Sequence, residues 1–343
     1  MKNLKNISLF LGLFPILIAS AFATEVVQQQ TYTSRVILSA PWGNQPGEFG
    51  INDPYSRDPK IVDAGPVQGP STFTIAPNGD IYIVDIFNYR VQRFTQNGNF
   101  VSSLSARMGL IEDICVDATG NVYLLEIAPA YVRKLDAEGK LLKLIPMFNH
   151  DDPDAEGMNI GGGSTKLYCD NSGRLFLSYY KENERARVIF QFGTTTTEYS
   201  QPQQKASLRR GSAGMSGIIL DKNQIFQWIE GKMFSVDDLG KQVARYELAG
   251  TYNFLDVDAF GYVYMTSYNG DTDMYSVIKQ TPDGKIISSF EWKYPRYQLP
   301  LSKGTLSVDT NKELMIDAQG NIYVLGLTNS GVTITKWSPS GGK

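Results

Sequence analysis

The chain has 343 residues, 42% of them hydrophobic and 20% charged, with 32 Lys and Arg against 35 Asp and Glu, one His and two Cys. The net charge of −3, with no basic run denser than Arg209-Arg210, argues against a nucleic-acid partner, because such binding draws much of its affinity from Lys and Arg that neutralise phosphates. Beyond the N-terminus no apolar run approaches the ~20 residues of a spanning helix, so membrane insertion is not expected.

The first segment reads MKNLKNISLFLGLFPILIASAFATE, with Lys2 and Lys5, an apolar stretch from Leu9 to Ile18, then Ala21-Phe22-Ala23. This is the order of a secretory signal peptide, predicted over 1–23, with export to the periplasm or the extracellular space. Residues 24–343 are expected to form one domain, because one unit recurs along them. The turn Pro77-Asn78-Gly79-Asp80 runs into Ile81-Tyr82, and DATGNVY, DNSGRLF, DKNQIF, DAFGYVY and DAQGNIY repeat it, ending at Tyr123, Phe176, Phe226, Tyr264 and Tyr323. The anchor aromatics lie 41, 53, 50, 38 and 59 residues apart, the ~40 to 50 period of propeller blades plus insertions. Asp or Asn with Gly makes the tight turn, and the apolar run after it suits a strand buried on both faces.

A second signature follows the anchors. VQRFTQNGNFV at 91–101 is echoed by VRKLDAEGKLL at 132–142, MFSVDDLGKQV at 233–243 and VIKQTPDGKII at 277–287; each is strand, polar Gly turn, strand. The third copy, VIFQFGTTTTEYS, departs from it. The last copy ends with ITKWSPSGGK at 334–343, one strand short, while TSRVILSAP at 33–41 is a spare strand. The expected fold is therefore all-β, a six-bladed β-propeller of four-stranded antiparallel blades, its ring closed by the N-terminal strand completing the last blade.

The string GDIYIVDIFNYRVQRFTQNGNFV, preceded by Trp42-Gly43 and Pro46-Gly47-Glu48-Phe49-Gly50, resembles an NHL repeat. The resemblance is close in the first copy, recognisable in the second, fifth and sixth, and poor in the third and fourth. It implies a six-bladed propeller used in most members as a binding scaffold and in a minority as an enzyme.

Several residues could carry chemistry. Asp85, Asn88 and Arg90, with Glu126 at the matching point of the second copy, either ring the channel mouth as ligands for a cation or polar solute or satisfy their own turns, with Arg90 capping nearby carbonyls. Ser178, Ile229, Ser267 and Leu327 stand at that position in the other copies, so a ring of carboxylates is not expected. Asp151, Asp152, Asp154 and Glu156 lie within six residues; they are either a calcium loop, since calcium takes six to eight oxygens, or an acidic surface run. Asp271 and Asp273 are a second such candidate. His150, the single histidine, argues against a histidine zinc site, and no nucleophile motif accompanies it. No cofactor is expected, with calcium possible.

Long connections at about 40–70, 147–163, 202–214 and 293–312 should emerge on one face. They carry Trp42, Phe49, Tyr55, Phe148, Trp292, Tyr294 and Tyr297. Exposed aromatics supply contact area at interfaces; alternatively these rings cover blade edges. Cys115 and Cys169 are expected as two buried thiols: export permits a bridge, but sheets packed ~10 Å apart rarely bring Cα atoms within the ~4.4 to 6.8 Å a disulfide needs. The first functional reading is an exported, non-enzymatic scaffold binding a protein, peptide or saccharide through Trp42, Phe49, Asp85, Asn88, Arg90, Glu126, Tyr294 and Tyr297. The alternative is a calcium-dependent lactonase or hydrolase resembling gluconolactonase-type propellers, with one metal polarising a lactone carbonyl.

Overall fold

A computed structural model describes residues 31–54, 67–105, 109–127, 130–146 and 312–340 almost continuously, and between 158 and 293 chiefly the strands and some of the turns that join them. The signal-like segment, His150, the 151–156 run, Asp273, Tyr55, Phe148, Tyr294 and Tyr297 lie outside the described residues. Every sheet is antiparallel and each is built from strands consecutive in sequence, apart from one strand contributed by the N-terminus.

The first sheet orders β2 (Thr72–Ile75), β3 (Ile81–Asp85), β4 (Arg90–Phe94) and β5 (Phe100–Ser105). The second orders β6 (Ile111–Val116), β7 (Val122–Ile127), β8 (Ala130–Leu135) and β9 (Leu141–Pro146). In the third, β10 (Met158–Asn159) and β11 (Lys166–Cys169) share one edge of β12 (Leu175–Lys181), and β13 (Ala186–Phe192) takes the other. Three strands form the next sheet among the described residues, β14 (Ile225–Ile229), β15 (Lys232–Val236) and β16 (Gln242–Tyr246). A further meander runs through β17 (Asn253–Val257), β18 (Val263–Asn269), β19 (Met274–Gln280) and β20 (Ile286–Lys293). The last sheet orders β21 (Leu314–Ile316), β22 (Ile322–Thr328), β23 (Gly331–Ser340) and then β1 (Thr31–Pro41), which pairs antiparallel with β23 from Thr31 opposite Ser340 to Pro41 opposite Gly331.

The repeated turn has a physical purpose that the sequence only hinted at. Asp117 Oδ1 accepts the backbone N–H groups of Thr119 and Asn121, and its Oδ2 accepts the Tyr123 hydroxyl at 2.9 Å. Asp258 with Tyr264 and Asp317 with Tyr323 repeat the arrangement at the same distance. Gly120 and Gly320 hold φ near +85° and +79° in these turns, which only Gly adopts without strain. A lysine from the third strand then lies over each ring: Lys134 5.2 Å from Tyr123, Lys279 5.1 Å from Tyr264 and Lys336 5.3 Å from Tyr323. The motif is thus a lock between a turn, a buried aromatic and the strand two places on. The first sheet departs from it: Ala76 stands where the others have Asp, and Asp80 pairs instead with Arg93 at 2.6 Å.

The sheets pack side by side through their first strands, β2 against β6, β6 against β11 and β17 against β21. Each layer between sheets has its own core. Phe73, Ile81, Ile83, Phe94, Tyr323, Leu325 and Ile334 fill the one between the last and first sheets, and Tyr82, Val84, Ile114, Val122 and Leu124 the one between the first and second. Each such fully buried aliphatic side chain contributes about 1.5–3 kcal/mol. The layer between the β17–β20 sheet and the last sheet is aromatic instead, with Tyr32, Phe290, Trp292 and Trp337 stacked or tilted on one another.

The two cysteines correct the expectation of free thiols. Cys115 and Cys169 are disulfide-bonded, with Cα atoms 6.0 Å apart. The ~10 Å spacing on which the expectation rested describes sheet faces. At the inner edges, where β6 and β11 converge, the separation is smaller, and the Leu167 N–H already reaches the Asp113 carboxylate at 2.9 Å.

Candidate functional site

Two sets of polar residues gather at the end of the sheets where the connection from one sheet enters the next. The first contains residues singled out from the sequence. Asp85, at the end of β3, is fully buried and accepts hydrogen bonds from the Gly50 N–H, Asn88 Nδ2, Arg90 Nε and Gln92 Nε2. Arg90 turns its remaining donors onto the carbonyls of Asn44, Gln45 and Glu48, and Asn88 donates to that of Gly43. Gln92, which sequence reading missed, donates to Glu48 O and accepts from the Gly47 N–H. These side chains therefore clasp the 43–50 connection to the first sheet. A ligand role at the mouth is corrected to that internal one, since burial and saturated hydrogen bonds leave Asp85 no face for a solute.

Glu126 repeats the clasp in the second sheet. Its Oε1 accepts the Gly109 N–H at 2.7 Å and its Oε2 meets Arg133 Nη2 at 2.8 Å, and only 2% of the residue is exposed. Of the four aromatics expected to face a partner, Trp42 and Phe49 are described, and both turn towards the core. Phe49 is fully buried and stacks on Phe94 with ring centroids 5.8 Å apart. Trp42 packs on the same core and donates its indole N–H to Thr328 O at 2.9 Å. An apolar ring that can shed water against a neighbouring sheet does so, so the partner-facing role is withdrawn for Phe49, while Trp42 is half-buried.

The second set was not anticipated, and it sits where the first strands converge. Asp113, on β6, is fully buried. Its Oδ1 accepts from Thr72 Oγ1 at 3.1 Å and from the Ile114 N–H at 2.9 Å, and Lys312 Nζ approaches the same oxygen at 2.5 Å. Its Oδ2 accepts from the Leu167 N–H. Thr72 opens β2, Leu167 lies on β11 and Lys312 immediately precedes Glu313 and β21, so one carboxylate joins four sheets at their inner edges. The pairing of β6 with β7 shifts register between Ile111 and Asp113, the extra residue being Glu112. A bulge of this kind re-aims the side chains beside it. The signal in the sequence was the pair Glu112-Asp113 inside an otherwise apolar first strand, because unpaired charges are rarely buried.

A calcium ion does not fit this donor set: one carboxylate, already neutralised by an ammonium, and one hydroxyl fall well short of six to eight oxygens. Among the described residues no three His, Cys, Asp or Glu side chains gather as metal ligands. At the opposite end of the strands, burial pushes the tyrosine hydroxyls up, Tyr32 to about 12 and Tyr123, Tyr264 and Tyr323 further, with neighbouring carboxylates adding to the effect. Burial also works to raise Asp117, but hydrogen bonds from Thr119, Asn121 and Tyr123 outweigh it and hold that carboxyl below its ordinary value.

The architecture is that of a β-propeller. The chain is similar in fold to the crystal structure of a member of the DUF4221 family from Bacteroides vulgatus, with 10% identity, a TM-score of 0.55, and coverage of 92% of this chain and 99% of that one. It is also similar to a gluconolactonase from Xanthomonas campestris (13% identity, TM-score 0.48, 90% of this chain and 100% of that one). A virginiamycin B lyase from Staphylococcus aureus is a third such structure (11%, 0.46, 90% and 99%). No protein-family model and no curated protein matches the sequence.

Proposed function

We propose that the chain is an exported, NHL-like propeller of six blades, closed into a ring by β1, that handles a small molecule at the end of its axis as a hydrolase of cyclic esters. The observation that carries this reading is the Asp113–Lys312 pair, a charged couple held where four sheets converge. Of the residues on which a partner-binding face depended, Phe49 lies in the core and Trp42, half-buried, packs against it. In the proposed chemistry the Lys312 ammonium meets the carbonyl oxygen of the substrate and stabilises the charge that develops there as water attacks, while Asp113, itself fixed by the Thr72 hydroxyl, holds the lysine in position. A fixed donor aimed at the developing charge is worth about 10²–10³ in rate.

The test is hydrolysis of a panel of γ- and δ-lactones by the wild type and by Lys312→Met, with melting temperatures measured alongside. Turnover that falls by about two orders of magnitude or more in the folded variant supports the reading. A wild-type protein inert towards the whole panel removes it.

A second reading, recognition of a protein, peptide or saccharide at the same end, is favoured by Tyr89. This residue is 63% exposed and adopts a left-handed backbone with φ 52°, a conformation that costs a non-glycine residue about 1–2 kcal/mol and is concentrated at functional sites. Calcium is proposed for the 151–156 run as a brace for a long connection. A melting temperature unchanged between excess calcium and chelator sinks that role.

A further inference from the structure

Resting on the axial-site reading above, we infer that Lys312 selects ligands carrying a carboxylate, so that the molecule held at the axis is a compact organic acid or the precursor of one. An ammonium has three N–H donors and no acceptor. Asp113 Oδ1 takes one of Lys312's, and the other two have no partner among the described residues. The side chain is 16% exposed, so solutes reach it. Its partner cannot be drawn off to serve a ligand instead, because Asp113 is fixed by Thr72 Oγ1 and by the N–H groups of Ile114 and Leu167.

What the pair offers a ligand is therefore donors alone. A group that only accepts, and that carries charge, makes the stronger bond: charge-assisted hydrogen bonds are roughly twice as strong as neutral ones. A primary amide of the same shape must turn its oxygen to the lysine and leave its NH₂ without an acceptor from Asp113, which is fully buried and presents no surface to the ligand. Opening a lactone adds water across the ring C–O bond, the hydroxyl going to the acyl carbon and the proton to the ring oxygen. The hydroxy acid so formed ionises and is the ligand this site holds best. Such a product lingers, so product inhibition follows from the geometry.

The experiment compares thermal shifts of the full chain with sodium lactate against lactamide, and with sodium gluconate against gluconamide, at equal ionic strength set with sodium chloride. At least one carboxylate should raise the melting temperature by several degrees while its amide leaves it unchanged. Lys312→Arg should keep the discrimination. The paired Asp113→Asn/Lys312→Met variant, which strands neither charge, should fold and lose it. Equal shifts from acid and amide, a shift reproduced by chloride alone, a shift surviving in the paired variant, or no shift from either carboxylate overturns the inference. Carboxylate binding without lactone turnover removes the hydrolase reading and leaves this site standing; turnover by a protein indifferent to carboxylates removes this inference alone.

Discussion

Arg90 Nε meets Asp85 Oδ2 at 2.9 Å, with the carboxylate side chain fully buried and the arginine 11% exposed. The same guanidinium caps three carbonyls of the 43–50 connection, so this ion pair fastens the connection that leads from β1 into the first sheet.

Arg90→Met should accordingly destabilise the protein by about 3–5 kcal/mol, the cost of leaving a buried charge without its partner. Asp85→Leu combined with Arg90→Met should cost less than the two single changes added together. Denaturant unfolding of the four proteins measures this; strictly additive losses would show that the two residues do not act as a pair.

The tyrosine locks predict an alkaline limit. A phenol whose pKa is raised on folding contributes stability that is fully present below its unfolded value of about 10 and is lost as pH rises through the folded value. For Tyr32, whose hydroxyl donates to that of Tyr264 at 3.4 Å, that window runs from about 10 to about 12. Unfolding should therefore set in over this range and coincide with tyrosinate absorbance appearing as a cooperative step. Gradual ionisation of all tyrosines near pH 10 in a still-folded protein would contradict the burial argument.

Asp117 works in the opposite direction. Its carboxyl is held below its ordinary value, so its contribution is complete above the unfolded value of about 3.9 and fades as pH falls below it. Asp117→Asn should flatten the loss of stability on acidification, read from melting temperatures between neutral and acidic pH.

The Cys115–Cys169 bond closes a separation of 54 residues, for which chain-entropy arguments give about 4 kcal/mol. Replacing both cysteines with serine should lower the denaturant midpoint by a corresponding amount. An unchanged midpoint would show that the 2.9 Å bond between Leu167 N and Asp113, two residues along each strand, holds β6 to β11 without it.

Gly98 sits in the β4–β5 turn with φ +80°, and a Cβ there would strike the Ile37 carbonyl of β1. Gly98→Ala should cost more than about 1 kcal/mol, since the conformation itself disfavours a side chain. It should also expose the N-terminal strand to protease ahead of the remainder. Equal protease resistance in variant and wild type would show that β1 tolerates displacement from this turn.

Much of the framework was legible in the chain. The recurrence of Asp, Gly and an aromatic at fixed offsets marked the turns and strands because a tight turn and a two-sided buried strand each demand particular residue types over a few positions. The shortfall of one strand at the C-terminus pointed to β1, and β1 does pair with β23. What the sequence could not reveal is which polar residues meet across sheets. Asp85, Asn88 and Arg90 are near neighbours in sequence, so their cluster was visible, but whether it faced solvent or the incoming connection depended on how residues 43–50 fold back. Trp42 and Phe49 were ambiguous for the same reason. Asp113 and Lys312 stand 199 positions apart and share no motif, and the two cysteines belong to different sheets. Local pattern settles strands and turns through short-range sterics and hydrogen bonding; only the packing of sheet against sheet decides which charges are desolvated together, and that is where the candidate site lies.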